Sequence, residues 1–419
     1  MTVFSAMLAV MALFLLAVGM AGLGAMLKGC FVLRRLARST PGFDAGPLMR
    51  SPLVPAVSVI VTPTDASPES RDCVRRLLGL AFANLEVVVA LDGRPGTDLE
   101  TWIQEFHLSR SARGHGVYES QDPLSLVVVD AVEKRERGWP ADALNAGVQA
   151  ASASVIALVD LECEFDSKLL VNLIRPMLED PAGTIAVCGR MSPPAGFAGL
   201  AAAFGALESL RSWLARGAAL AGWGFVVPVP GSSLLVRREA IRSAGGFRGD
   251  PHDLLLDLHA LSQGSGDSGI AFVAESASFA RGPRSWADLH RRISKDQAQF
   301  AAALRKRGAS GAGALRWGLP ALFLVRGVRP VLETAALAGA GAGWMVGWID
   351  PALAVLVLLC TVGVGICLSM AAAILPELAA LRRSDPATLA CGFLATIPEN
   401  LGYRQVRNLW LISGWFHAP

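Results

Sequence analysis

The hydropathy pattern along this chain changes period twice. Residues 3–27 carry no charge and are mostly Ala, Val, Leu, Met and Gly. A helix needs about 20 apolar residues to cross a bilayer, and this run is long enough. Its basic residues, Lys28, Arg34, Arg35 and Arg38, follow the run, whereas a cleaved leader carries them in front. A retained anchor is therefore expected, with the rest of the chain starting in the cytosol.

From residue 56 short apolar runs alternate with amphipathic stretches. Val57–Val61, Leu85–Ala90, Ser125–Val129 and Ser154–Val159 read as buried strands. Pro68–Ala81 sets Arg71, Arg75 and Arg76 on one face and Val74, Leu77 and Leu78 on another, which predicts a helix; Ala141–Ala151 predicts a second. Residues 95–122 are polar and irregular, with a helical piece near 98–110. Strand and helix in alternation predict an α/β class with a parallel sheet and crossover helices.

Beyond the sheet the pattern becomes amphipathic and then apolar. Arg291, Arg292, Lys295, Arg305, Lys306 and Arg307 are interleaved with Trp286, Leu289, Ile293 and Phe300, a pattern suited to an anionic bilayer surface. Arg326 and Arg329 in an apolar stretch predict an interfacial or partly re-entrant helix over 314–333 rather than a clean span. Residues 334–349 and 352–375 read as two spans joined at Asp350–Pro351, with Gly339 and Gly343 spaced for close helix contact. The polar content of Pro398–Gln405 argues against a further span. The expected division is an anchor at 1–30, a linker at 31–55, an α/β domain at 56–282, interfacial helices at 283–333, two membrane helices at 334–375 and a cytosolic or interfacial segment at 376–419.

Composition agrees with a membrane-attached α/β chain. Of 419 residues, 53% are hydrophobic and 17% charged, and mean hydropathy is +0.44. A net charge of +3 offers no global field for nucleic acid. Seven cysteines without a Cys-x-x-Cys pair argue against a zinc site or a disulfide framework.

The candidate chemistry lies at the ends of two strands. The run 154–159 ends in Asp160 and Glu162, which point the same way if the backbone stays extended. Two hard oxygen ligands on one side suit Mg2+ or Mn2+ carrying phosphates. The run 85–90 ends at Asp92–Gly93. Carboxyl ends of strands in a wound sheet share one rim, where ligands bind. A plain acidic loop after each strand is the other reading of the same residues.

With these stretches in order, residues 55 to about 300 resemble a membrane-bound family 2 glycosyltransferase, a nucleotide-diphospho-sugar transferase of the GT-A fold. Pro55–Val61 resembles its opening strand, and Val88–Gly93 its strand ending in paired aspartates, with Leu91 in place of the first. Ala143–Leu144–Asn145–Ala146–Gly147 is similar to its Ala-Leu-Asn-x-Gly helix. Leu158–Glu162 stands where it carries Asp-x-Asp. Pro230–Ser233, Arg237–Ile241 and Gly245–Gly246–Phe247 resemble its acceptor-side segment.

The resemblance implies a GT-A-like mixed, mainly parallel sheet with flanking helices, plus transmembrane helices at both ends. It implies a multi-pass protein of the inner (plasma) membrane with a cytosolic catalytic domain. Asp92 would contact the base of the nucleotide, Asp160 the ribose, and Asp160 with Glu162 a Mn2+ or Mg2+ ion on the diphosphate. Asp253 stands where the family places its general base; read from the residues alone it is equally a helix N-terminal acid. Arg292 and Lys295 occupy the interfacial helix that faces the acceptor, a lipid-linked or polysaccharide substrate. An inverting transfer is implied.

Departures qualify this. Trp139–Pro140 stands where the family has Lys, leaving Arg137 or Lys134 as substitutes, and no tryptophan completes the Gln-x-x-Arg-Trp of processive members. Strong processivity is therefore not expected. A catalytically impaired scaffold that binds nucleotide or a partner synthase is the alternative.

Overall fold

The computed structural model describes residues 2–39, 51, 54–63, 65–93, 98–121, 125–130, 140–161, 163–192, 199–227, 232–249, 251–261, 269–307, 315–378 and 385–416. In chain order its elements are α1 (Thr2–Ser39), β1 (Val57–Val61), α2 (Pro68–Leu78), β2 (Leu85–Leu91), α3 (Leu99–Phe106), β3 (Leu108–Arg110), β4 (Val117–Ser120), β5 (Leu126–Asp130), α4 (Pro140–Ala150), β6 (Val155–Leu158), β7 (Cys163–Phe165), α5 (Leu169–Glu179) and β8 (Ala186–Ser192). Next come α6 (Leu200–Ser212), a π-helical turn (Trp213–Ala218), α7 (Ala219–Ala221), β9 (Leu234–Arg237), α8 (Arg238–Ser243), α9 (Pro251–Leu261), β10 (Ile270–Ala280) and α10 (Trp286–Arg307). The chain ends with α11 (Leu315–Phe323), α12 (Arg329–Met345), α13 (Pro351–Leu358), α14 (Val364–Leu378), α15 (Pro386–Pro398) and α16 (Arg404–Gly414), with π-helical turns at Leu324–Val328, Leu359–Gly363 and Glu399–Tyr403. These elements form two compact units, one of residues 1–38, 193–225 and 282–419, the other of residues 39–192 and 226–281.

The second unit is the sheet. Its ten described strands run in the order β3-β4-β5-β2-β1-β6-β9-β8-β10-β7. Parallel pairing joins β5, β2, β1 and β6, and again β8 and β10, whereas β4, β9 and β7 run against their neighbours. The sheet is thus mixed and mainly parallel, as the resemblance implied. Both faces of β1 are covered, which is why its five residues are all buried. Val57, Val59 and Val61 join a core with Val74 and Leu77 of α2 and Trp102 of α3. On the other face α4 approaches through Gly147, where a Cβ would lie 2.9 Å from Ile60 Cγ2 and 3.4 Å from Ala90 Cβ.

The stretch read as irregular holds two short strands. After α3, β3 and β4 form an antiparallel hairpin on β5, Leu108 pairing with Ser120 and Val117 with Val129. Strands of three and four residues are too short to show alternation, and pairing with β5 supplies what local pattern lacks. At the amino edge of the sheet Glu86 is buried on β2. It accepts hydrogen bonds from the Ser58 hydroxyl, from Ser152 N at 2.8 Å and Ser152 Oγ at 2.9 Å, and pairs with Arg113. Burial raises its carboxyl, but the Ser58, Arg113 and Ser152 donors together hold it below its usual range.

The first unit is helical. Two of its helical runs, Val3–Arg38 and Pro351–Leu378, are long and apolar enough to cross a membrane by length and composition. Leu8, Ala12 and Leu15 of α1 pack with Ala336, Ala340, Val357 and Cys360. The contact is close because glycines face α1: a Cβ on Gly339 would lie 3.2 Å from Leu8 Cδ2, and one on Gly343 2.8 Å from Phe4 Cε1. Pro398–Gln405, whose polar content argues against a further span, lies within the helical run of α15, its π turn and α16.

Candidate active site at the carboxyl edge of the sheet

Register places two of the expected acids. Val61 at the end of β1 pairs with Val89 of β2, and Ile60 pairs with Leu158 of β6. Asp92 and Asp160 therefore leave the sheet at the same edge, on strands that flank β1. Neighbouring strands lie about 4.8 Å apart, so the two backbones are separated by about 10 Å, a span that one nucleoside diphosphate bridges. Asp92 is buried and Asp160 exposed, which suits a carboxylate fixed for hydrogen bonding and another open to a hydrated ion. Glu162 lies outside the described residues. So do Lys134, Arg137 and Trp139.

Arg76 and Arg281, which the sequence reading did not assign to this site, act electrostatically on the same thiol as Asp160. Cys73, on α2, is buried, and burial pushes its thiol up. A hydrogen bond with Arg76 and the charge of Arg281 draw it back, while the charge of Asp160 pushes it up again. Asp160, Arg76 and Arg281 are thus electrostatic neighbours of one thiol. Arg281 directly follows β10, whose last residues pair with β7 (Ala280 with Cys163), and its Nε lies 3.9 Å from Glu164. The basic face read on α2 divides: Arg71 and Arg75 turn to Glu105, and Arg76 turns to Cys73. Only the pairing of β10 with β7 reveals Arg281, since nothing in its local sequence marks it.

Asp253 sits in the first turn of α9, where the helix dipole favours a carboxylate, and is 6% exposed. The helix is held by Leu254, Leu255 and Leu258, all buried, and by His259, whose Nε2 lies 2.8 Å from the Val226 carbonyl oxygen. Burial pushes the His259 imidazole below its usual range, and the bond to Val226 offsets this only in part. The turn before α9 is tied to α4: Asn145 Nδ2 donates to Phe247 O at 2.7 Å, and Phe247 N donates to Asn145 Oδ1 at 2.8 Å. The other two expected residues, Arg292 and Lys295, belong to α10 in the helical unit. Arg292 pairs with Asp288 at 3.1 Å, and Lys295 is exposed.

The donor set fits a divalent cation shared with a substrate. Among the described residues no group of three or more His, Cys, Asp or Glu side chains could enclose a metal. An exposed carboxylate at a strand end instead suits an ion that takes its remaining oxygens from a diphosphate.

No family model matches this sequence, and no curated protein matches it. Among solved structures, a mannosyltransferase from Pyrobaculum calidifontis in complex with GDP-Man and Mn2+ aligns over 93% of this chain and 99% of its own, with 17% identity and a TM-score of 0.53. A glucosyl-3-phosphoglycerate synthase from Mycobacterium tuberculosis in complex with Mn2+, UDP-glucose and phosphoglyceric acid aligns over 65% of this chain and 87% of its own, with 19% identity; its TM-score of 0.40 is too low to bear on residue placement. The mannosyltransferase likeness extends through nearly the whole of both chains, and this protein has the GT-A fold.

Proposed function

We propose that this chain is a membrane-anchored glycosyltransferase, moving a sugar from a nucleoside-diphospho-sugar to a lipid-linked or polysaccharide acceptor. The observation that carries this reading is the register that puts Asp92 and Asp160 on either side of β1, at one edge of a GT-A sheet. Asp92 accepts hydrogen bonds from the nucleotide base, and Asp160 from the ribose. Asp160 and Glu162 would hold Mn2+ or Mg2+, which when bound neutralises charge gathering on the departing diphosphate. Arg76 and Arg281 meet the remaining phosphate charge, in place of the lysine that Trp139–Pro140 displaces. Asp253 takes the proton of the acceptor hydroxyl as its oxygen attacks the anomeric carbon from the face opposite the leaving diphosphate, so the configuration inverts. The acceptor role of Arg292 and Lys295 rests on the sequence resemblance alone. Two apolar helical runs support the membrane reading, with the sheet unit on the cytosolic side of the inner membrane.

The test is binding of a panel of nucleotide sugars to the purified full-length protein, with and without Mn2+, beside Asp160→Ala and Glu162→Ala. Metal-dependent binding of at least one donor, lost in both variants, is expected. A native protein that binds none of them, or binds equally well without metal, sinks the reading. One observation favours a second reading, donor binding without transfer: Leu91, 1% exposed in the apolar core, occupies a position where the family has an acid. Single-turnover release of sugar from a bound donor separates the two.

A further inference from the structure

The helical unit carries exposed aromatic side chains at two levels along α1, and the proposed chemistry uses neither. At the first level Trp348 packs edge to face on Phe4, near the start of α1, with ring centroids 5.7 Å apart. Trp344 and Trp348 are both more than half exposed. At the second level Trp223 meets Trp317 edge to face at 6.0 Å, and these two are 50% and 38% exposed. Phe225 is fully buried and packs against Trp317 at 5.7 Å.

Glycines fix the second level against the far end of α1. Gly222, directly before Trp223, leaves no room for a Cβ beside Val32 Cγ2, and Gly29 leaves none beside the Leu214 carbonyl oxygen. Gly318, directly after Trp317, lies against the Phe225 ring in the same way. The Trp223–Trp317 pair is thus held where α1 reaches residues 29–32. At 1.5 Å per residue Phe4 and Val32 stand about 42 Å apart along the helix. A bilayer with its headgroups measures about 40–45 Å. The two levels therefore fall at its two polar boundaries, where tryptophan gathers. Single exposed apolar residues need no explanation, but two pairs at this separation do.

Charge tells the two levels apart. On α1, Lys28 and Arg35 stand four residues before and three residues after Val32, and so share its face. Arg316 directly precedes Trp317. Arg35 and Arg316 are exposed, and Lys28 is half-buried. Around Trp344 and Trp348, by contrast, residues 334–349 carry no charge, and an acid, Asp350, follows. Guanidinium groups beside indole rings suit a headgroup with a phosphodiester and net negative charge: arginine bonds the phosphate, and the rings lie along the glycerol and upper acyl carbons.

We infer that Trp223 and Trp317, with Arg35 and Arg316, form a seat for anionic phospholipid in the cytosolic leaflet. The inference rests on the membrane part of the proposed function, and adds to it a place on the molecule and a headgroup charge. Lys28 adds attraction from the neighbouring turn of α1.

The experiment places the full-length protein in vesicles of phosphatidylglycerol and phosphatidylcholine and reads quenching of tryptophan fluorescence. In one preparation only the phosphatidylglycerol carries bromine, near the headgroup end of its acyl chains. In the other only the phosphatidylcholine does, at the same mole fraction. The ratio of the two reports enrichment of anionic lipid beside the indoles. At low salt the native protein is expected to favour phosphatidylglycerol by about fivefold or more, the effect of one basic side chain at an anionic surface. Trp223→Phe and Trp317→Phe keep an aromatic ring but remove the reporter, so each takes away part of the excess. Arg35→Gln combined with Arg316→Gln keeps both reporters and brings the preference to about twofold or less. Both arginines are exposed, so this variant stays folded. Equal quenching by the two lipids overturns the inference. So does an excess that survives undiminished in the double tryptophan variant or in the double arginine variant. Protein that washes off the vesicles in alkaline carbonate sinks the membrane reading instead, whereas protein that stays and shows equal quenching loses only the seat.

Discussion

Asn145 and Phe247 exchange two hydrogen bonds, 2.7 and 2.8 Å long, across 102 residues of sequence. The pair joins two motifs that looked independent in the sequence, Ala-Leu-Asn-x-Gly and Gly-Gly-Phe. It also explains the middle residue of the second motif. Gly246 has φ +80, and a Cβ there would lie 2.7 Å from Asn145 Oδ1. The turn so fixed leads into α9 and Asp253. Asn145→Ala leaves the Phe247 N–H and carbonyl without their partner, and Asn145→Asp sets a carboxylate oxygen against that carbonyl. Each is expected to cost about 1–3 kcal/mol of stability, read as a lowered midpoint of thermal unfolding. A change too small to measure in both would mean that solvent or a neighbour replaces these bonds.

Gly147 makes a second test of the scaffold. Its α carbon lies against β1 and β2, so a methyl there meets Ile60 Cγ2 at 2.9 Å. Gly147→Ala is expected to destabilise by about 1–3 kcal/mol through overpacking. Ile60→Leu removes the opposing Cγ2 at nearly constant volume. In a double-mutant cycle the two changes should offset by at least about 0.5 kcal/mol. Simple additivity would show that the helix shifts as a body rather than pressing on Ile60.

These contacts show what the sequence could and could not reveal. The strands around Val57–Val61 and Val155–Leu158 were legible because a strand buried on both faces is an unbroken apolar run. Asp92 and Asp160, which close the runs 85–90 and 154–159, were legible for the same reason, as abrupt stops. The strand order that sets Asp92 and Asp160 on either side of β1 was not, since pairing is decided between elements far apart in sequence. Arg281 stayed hidden because it acts on the edge only through β10. The partners of the arginines after residue 314 were not legible either: Arg326 is buried against Asp296 and Gln297, which belong to another helix. Nothing local announces a π-helical turn.

Acid should weaken the sheet unit in two steps. His259 has its imidazole held below the usual value by burial, so the unfolded chain takes up a proton first. Stability then falls as pH drops below about 6.5, the ordinary histidine value, until the folded imidazole also titrates. Glu86 is held below the ordinary carboxylate range, so its contribution is fully present above about pH 4.3 and is lost as pH falls through the folded value. Both effects give stability that rises with pH. A pH series of thermal midpoints should lose the upper step in His259→Gln and the lower one in Glu86→Gln. Glu86→Gln should also lower stability at pH 7, because Arg113 then loses one of its two carboxylate partners, keeping Glu119. A native profile flat from pH 7 to about pH 5 would contradict the His259 assignment, and one flat below about pH 4.3 the Glu86 assignment.

The roles proposed at the carboxyl edge separate kinetically. If Asp92 holds the nucleotide base in ground and transition state alike, Asp92→Asn raises KM for the donor and leaves kcat nearly unchanged. If Asp160 shares the cation and Arg281 meets the leaving diphosphate, their contacts strengthen as charge builds on that group. Asp160→Asn and Arg281→Gln then lower kcat, the former by on the order of a hundredfold or more. Asp160 is exposed, so its substitution should change stability by no more than about 0.5 kcal/mol, and lost activity cannot be put down to unfolding. Raising Mn2+ should restore part of the rate to Asp160→Asn, whose defect is weak ion binding, and none to Arg281→Gln, whose charge the ion does not replace. Rescue of Arg281→Gln and not of Asp160→Asn would contradict both roles.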